Sequence, residues 1–148
     1  MKIVLFEPKI PQNAGNIVRT CSVTGTSLVL VRPLGFSLAS RYLKRAGLDY
    51  WDEVDITVID SILPWLDEQK APITFFSSHS KKLYTSVSYK EDHILVFGSE
   101  TEGLPLEVTT KYIDQMVKIP MLSQKRCLNL ATSVGIGLYH ALSKTSVL

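Results

Sequence analysis

Short, almost wholly apolar runs, separated by stretches that carry helix signals, constrain this chain more than any other feature. Lys2 to Phe6, Ser27 to Arg32, Val54 to Ile59, Ile73 to Ser77, His93 to Phe97 and Met116 to Ile119 are such runs. Strands buried on both faces carry apolar residues continuously instead of alternating in and out, so Ile73 to Ser77 and His93 to Phe97 read as parallel strands. Between runs, Pro8 and Pro11 enforce a loop, and Asn13 is expected to cap a helix reaching about Gly25. Asp60 or Ser61 suits a second cap, and Pro105 suits the first turn of a helix through about Lys111. Leu128 to Ser143 predicts the last helix, with Leu130, Val134, Leu138 and Leu142 on one apolar face and Ala131 and Gly135 one turn apart. The alternation implies one α/β domain over residues 1–148, a mostly parallel sheet flanked by helices. A domain of 148 residues buries roughly 70% of the surface its unfolded chain exposes, enough for a full core.

Several function classes drop out. No apolar run approaches the ~20 residues of a membrane span. The opening Met-Lys-Ile-Val-Leu-Phe meets Glu7 and Pro8 too soon for a signal-peptide core, so a cytoplasmic protein is expected. Cys21 and Cys127 are too few for a disulfide framework, and His79, His93 and His140 are scattered without metal-ligand spacing, so reduced thiols and no metal are expected. A P-loop is absent, and the one Gly-x-Gly, Gly135 to Gly137, falls inside the last helix. Nor is there a Gly-x-Ser-x-Gly nucleophile elbow.

The net charge of +2 conceals an asymmetry. Residues 1–45 carry seven Lys or Arg against the single acid Glu7, residues 46–69 carry seven acids and no base, and residues 70–148 carry nine bases against six acids. A basic first third suits a phosphate-bearing partner, whose counterions Lys and Arg displace; a solvated charged surface accounts for the same counts.

In open parallel sheets ligands sit beyond the carboxyl ends of the strands. Three loops there are crowded with Gly, Pro and amides: Asn13-Ala14-Gly15-Asn16-Ile17-Val18-Arg19, Phe97-Gly98-Ser99-Glu100-Thr101-Glu102-Gly103-Leu104-Pro105, and Ile119-Pro120-Met121 with Arg126-Cys127-Leu128-Asn129-Leu130. Any one of them is accounted for as a turn. In combination and in this order they resemble the three motifs of SPOUT RNA methyltransferases, and Glu7-Pro8 with Arg45-Ala46-Gly47-Leu48-Asp49-Tyr50 resembles the TrmL (YibK) type. That type is a tRNA (cytidine/uridine-2′-O-)-methyltransferase acting on the wobble ribose of leucine tRNAs.

The resemblance implies a C-terminal trefoil knot, S-adenosyl-L-methionine as methyl donor with S-adenosyl-L-homocysteine as product, and a homodimer whose two subunits form the tRNA surface. It implies Arg19 as the catalytic side chain, with Asn16 orienting it or the ribose. Cofactor contacts are implied at Phe76, Ser77, Gly98, Glu100, Gly103, Ile119, Met121, Cys127, Leu128 and Asn129. Arg126 and Tyr139 are implied as RNA contacts. Arg41, Lys44 and Arg45 are close enough in sequence to form a phosphate patch, beside Tyr42 as a stacking surface. Two positions depart from the family pattern: Cys127 replaces a common Ser, and His140 a usual Glu. Two other readings stay open, a catalytically silent knotted RNA-binding protein and the same chemistry on ribosomal RNA.

Overall fold

A computed structural model describes residues 1–39 and 48–148. Six parallel strands, β1 (Lys2–Phe6), β2 (Ser27–Val31), β3 (Ile56–Ile59), β4 (Ile73–Phe76), β5 (Ile94–Phe97) and β6 (Met116–Val117), form one sheet in the order β3-β2-β1-β5-β4-β6. The most apolar strands take the middle. Ile3, Val4 and Leu5 of β1 and Leu95 and Val96 of β5 are fully enclosed, whereas the edge strand β3 keeps Thr57 in solvent.

Alternate residues divide the core into two layers, as a pleated strand requires. Ile3, Leu5, Leu28, Leu30, Leu95 and Phe97 face α1 (Pro11–Thr24) and α4 (Leu130–Ser143), the two long helices. Val4, Val29, Val31, Phe75 and Val96 face α2 (Ile62–Asp67) and α3 (Leu106–Lys111), through Ile62, Leu66 and Val108. The expected apolar stripe of α4 is present, with Leu130, Val134, Leu138 and Leu142 all buried. Gly137 on that helix meets the stacked rings of Phe76 and Phe97, whose centroids are 4.5 Å apart; a Cβ there would stand 2.9 Å from the Phe76 ring.

β3 begins at Ile56, not Val54, and β5 at Ile94, not His93, and both long helices also start differently from expectation. Asn13 does not cap α1: the helix begins at Pro11 with Ile10 at the cap position and no capping side chain, because Pro11 presets the first turn, and a distant carboxylate accepts from Ile10 N–H just ahead of it. The last helix begins at Leu130, not Leu128, because the Asn129 side chain accepts from Ala131 N–H and Thr132 N–H and ends the preceding loop there. β6 is also shorter than predicted, yet Lys118 continues it by pairing with Leu83.

Order β3-β2-β1 runs one way from β1 and β5 lies on its other side, so the loops after β1 and β5 meet at a topological switch point. No helix among the described residues is long and apolar enough to cross a membrane.

His93, at the entry to β5, is buried and neutral: Lys90 N–H donates to Nδ1 at 3.3 Å, leaving Nε2–H to donate to Thr74 Oγ1 at 2.8 Å. Burial pulls its pKa down to about 4 against the opposing charge of Asp92. Unfolding lets it take up a proton below about 6.5, so stability is complete above that pH and falls as pH drops from about 6.5 to 4. Chemical denaturation across this window is expected to show a loss of about 3 kcal/mol that His93→Gln removes.

Candidate active site

A cleft of about 1340 Å³ opens at the carboxyl ends of β4, β5 and β6. Phe76, Ser77, Gly98, Glu100, Gly103, Ile119, Met121, Cys127, Leu128 and Asn129 all line it, as does Arg126. Residues from three widely separated stretches thus converge, as the sheet order requires of loops that leave neighbouring strands.

One hydrogen-bond chain locks the three loops together. Glu100 accepts from Lys9 N–H at 2.8 Å through Oε1 and from Ile10 N–H at 2.7 Å through Oε2, where α1 lacks a cap of its own. Asn13 Nδ2 donates to Glu100 Oε2 at 3.2 Å, and Asn129 Nδ2 donates to Asn13 Oδ1 at 2.8 Å. Asn129 Oδ1 meanwhile accepts from the first N–H groups of α4. The starts of both long helices therefore hang on a single side-chain relay. A carboxylate is well suited to its end, because charge-assisted bonds to N–H groups at a helix start are shorter and stronger than neutral ones.

The β5 loop owes its shape to two glycines. A Cβ on Gly98 would come within 2.2 Å of the Gly103 carbonyl carbon, and Gly103 sits at φ +68°, a backbone region that side-chain-bearing residues rarely adopt. Both conditions serve the reciprocal Ser99–Gly103 backbone pair, each bond 3.1 Å. Ser99 Oγ also accepts from Glu102 N–H at 3.1 Å. Lys9 Nζ reaches Thr101 Oγ1 at 3.0 Å and Glu102 at 3.4 Å, a second link from the β1 loop.

Asn16, Arg19 and Tyr139 lie outside the cleft lining and are exposed on the outer surfaces of α1 and α4. The Arg19 guanidinium carbon sits 5.3 Å from the Tyr50 ring centroid. Tyr50 belongs to a short 3-10 helix, Leu48–Glu53, tied to α1 by Ser22 Oγ donating to Glu53 at 2.6 Å. Arg41, Tyr42, Lys44 and Arg45 lie outside the described residues. The two thiols differ: burial pushes Cys21 up to about 12 and makes it inert, while the exposed Cys127 faces Ser78 Oγ at 3.5 Å. No group of three or more His, Cys, Asp or Glu able to hold a metal occurs among the described residues.

This architecture has known counterparts. The model of the SpoU rRNA Methylase family matches residues 1–139. The chain belongs to the SpoU methylase family. A Saccharophagus degradans relative named tRNA (cytidine(34)-2′-O)-methyltransferase is 43% identical over 145 residues, covering 94% of this chain and 92% of the relative. A solved structure described as "Structural insights into the 2-OH methylation of C/U34 on tRNA" superimposes with a TM-score of 0.90 at 43% identity, covering 97% and 94%. The SpoU methyltransferase AviRb from Streptomyces viridochromogenes, solved in complex with AdoMet, shares the fold with a TM-score of 0.84 at 20% identity, covering 97% of this chain and 57% of AviRb.

Within this SpoU-family site, sequence reading located the lining but missed what holds it. Glu100 lines the cleft as expected of a cofactor contact, and its carboxylate also accepts from Lys9 N–H, Ile10 N–H and Asn13 Nδ2. Its partner is 90 residues away in sequence, so no local pattern announces the bond. Tyr50 was quoted only as part of a motif, and its place beneath Arg19 follows from the packing of the 3-10 helix on α1.

Removing the relay is expected to destabilise the fold measurably in urea titrations. Glu100→Ala should cost about 2–3 kcal/mol, since it strips the acceptor from two backbone N–H groups, and Asn129→Ala about 1 kcal/mol. The double variant should fall short of the sum by about 0.5–1 kcal/mol through shared Asn13; strict additivity would show the relay is not a unit.

Proposed function

We propose that this protein methylates the 2′-hydroxyl of the wobble ribose, position 34, of tRNA, using S-adenosyl-L-methionine and releasing S-adenosyl-L-homocysteine. The observation that carries this reading is the full-length similarity, at 43% identity, to a tRNA (cytidine(34)-2′-O)-methyltransferase. Leucine tRNAs in the cytoplasm are the substrate this reading entails, by the sequence resemblance described above.

The cleft suits the cofactor. Phe76, Ile119, Met121 and Leu128 offer apolar walls to a flat base, and the hydroxyl of Ser77 and the backbone of the Gly98 to Gly103 loop offer polar groups to a ribose and an amino-acid tail. Bound there, S-adenosylmethionine supplies an electrophilic methyl group on its sulfonium. The protein's share is to align the ribose oxygen with that carbon and to stabilise charge as the oxygen attacks. Arg19 takes the second role. A guanidinium stays charged at ordinary pH, so it is a poor base and a good partner for the oxyanion developing at O2′ and for the adjacent phosphate. Asn16, one turn earlier on the same exposed helix, orients it or the ribose, and the hydroxyl proton leaves to solvent. The Tyr50 ring holds the guanidinium in register by cation–π attraction.

The reading includes a homodimer, because Arg19 does not line the cleft of its own chain. α1 and α4 pack together, and each turns an exposed apolar residue outward, Val23 at 60% and Tyr139 at 51%, a surface suited to a second copy. Pairing through it brings Arg19 of one protomer to the cleft of its partner. The trefoil knot also belongs to this reading. It is supported by the way the chain after β6 runs beside residues 77–84, through Ser77 N–H to Val117 O and Lys118 N–H to Lys82 O, both 2.8 Å, before α4 returns beneath Phe76 and Phe97.

Purified protein given S-adenosylmethionine and unmodified leucine tRNAs is expected to yield a 2′-O-methyl group at position 34, mapped by mass spectrometry. Arg19→Ala should lower kcat by about 10²-fold or more while cofactor affinity holds, and Arg19→Lys should not restore it. Tyr50→Leu should cost about two- to fivefold, with Tyr50→Phe near wild type. Mixed dimers of Arg19→Ala with the cleft-filling Ser77→Trp should regain activity that neither homodimer has; no recovery would place Arg19 and cleft in one chain.

A further inference from the structure

The acidic residues of the second half of the chain are confined to one interval. Between Glu91 and Asp114 lie all the Asp and Glu beyond Glu68, so residues 77–90 and 115–148 contain none. The same two acid-free stretches hold Lys81, Lys82, Lys90, Lys118, Lys125, Arg126 and Lys144. The fold then brings two parts of them together. Lys118 N–H donates to Lys82 O at 2.8 Å and Tyr84 N–H to Lys118 O at 3.0 Å, while Cys127 Sγ lies 3.5 Å from Ser78 Oγ. The loop after β4 therefore meets the chain that follows β6 at two points, which brings the segments that carry Lys81, Lys82, Lys118, Lys125 and Arg126 together along one rim of the cleft.

This rim differs from the basic first third of the sequence. There, Lys9 is paired with Glu102 at 3.4 Å and Arg32 with Asp60 at 3.1 Å. None of the five rim cations has an ion-pair partner among the described residues. Three acids line the cleft: Glu100 is engaged by the backbone before α1 and Glu102 by Lys9, while Asp114 has no ion-pair partner among the described residues. The location is also distinct: β2 and β3 occupy one flank of the sheet, whereas the rim follows β4 and β6 on the other.

We propose that this rim is a phosphate-binding track that holds the RNA backbone on the β6 side of the cleft, with Lys81 and Lys82 as its principal contacts. The inference rests on the RNA-methylating reading above and adds a surface to it. Its ligand is a polyanion for a geometric reason. Lys81, Lys82 and Arg126 line the cleft, but Lys118 and Lys125 lie beyond its lining. The carboxylate of a cofactor confined to the cleft meets only the first group, while a run of phosphates follows the whole rim and releases counterions at each step. In the dimer proposed above the partner's Arg19 meets the target ribose at this cleft, and the rim carries the backbone that runs on from it.

The test uses the intact dimer with Lys81→Ala/Lys82→Ala, the charge-keeping Lys81→Arg/Lys82→Arg, and Lys70→Ala as a control at the opposite end of β4. Binding of unfractionated tRNA is titrated across a series of NaCl concentrations, and binding of S-adenosylhomocysteine is followed by calorimetry. The alanine pair is expected to weaken tRNA binding about tenfold near 0.1 M salt and to reduce the slope of log affinity against log salt by about 1.5. S-adenosylhomocysteine affinity should stay within about twofold, and the arginine pair and Lys70→Ala should match wild type, since a phosphate contact needs the charge and not its particular carrier. Unchanged tRNA affinity and slope in the alanine pair would overturn the inference, as would a loss confined to S-adenosylhomocysteine binding. A protein that binds tRNA through this rim yet transfers no methyl group would leave the inference standing and overturn the proposed reaction.

Discussion

The arrangement of this site depends on one carboxylate. Glu100 stands at the switch point of the sheet and accepts the backbone N–H groups of Lys9 and Ile10, the two residues that lead into α1. Without that acceptor the N–H groups of Lys9 and Ile10 would be left to water, and the loop joining β1 to α1 would lose its fixed distance from β5. Through Asn13 and Asn129 the same side chain reaches the start of α4. The outward-facing Arg19 and the cleft are therefore parts of one rigid unit, although they do not touch. A tight glycine loop makes this possible, because the close approach of Gly98 to Gly103 turns the Glu100 segment back toward the β1 loop.

Much of the fold is legible in the sequence because burial writes itself as composition. Runs such as Ile94 to Phe97 carry no polar residue, and a strand enclosed on both faces demands that. The stripe on α4 is legible for a similar reason, at the period of a helix. The lining of the cleft is legible in another way, as three loops that resemble a known set. What stays hidden is long-range. Asn13 looks like a cap from its neighbours alone, and only the position of Pro11 together with Glu100 shows why the helix starts earlier. The stacking of Arg19 on Tyr50 depends on how a 3-10 turn lies against α1, which no spacing rule encodes. Charge counted along the chain draws attention to the first third, while the ion pairs of Lys9 and Arg32 spend part of that excess.

Polar groups are thus used in two ways. Some are saturated and structural, as in the Glu100 relay and in His93, whose neutral ring bridges Lys90 and Thr74. Others are left open at the surface, as in the cations after β4 and β6. Saturation fixes geometry, since each buried partner lost leaves another unsatisfied. Openness is what a surface for a highly charged, interchangeable ligand requires.

The relay has a consequence for how the molecule is made. Its bonds join residues 90, 91 and 116 positions apart. During synthesis β1, α1 and β2 emerge before the rest and bury their apolar faces against one another, but the loop leading into the helix that carries Arg19 stays untethered until Glu100 has been added, and the relay closes only with Asn129. A nascent chain that has not yet reached Asn129 still holds an unfinished site, so the site closes in one step once that residue is in place.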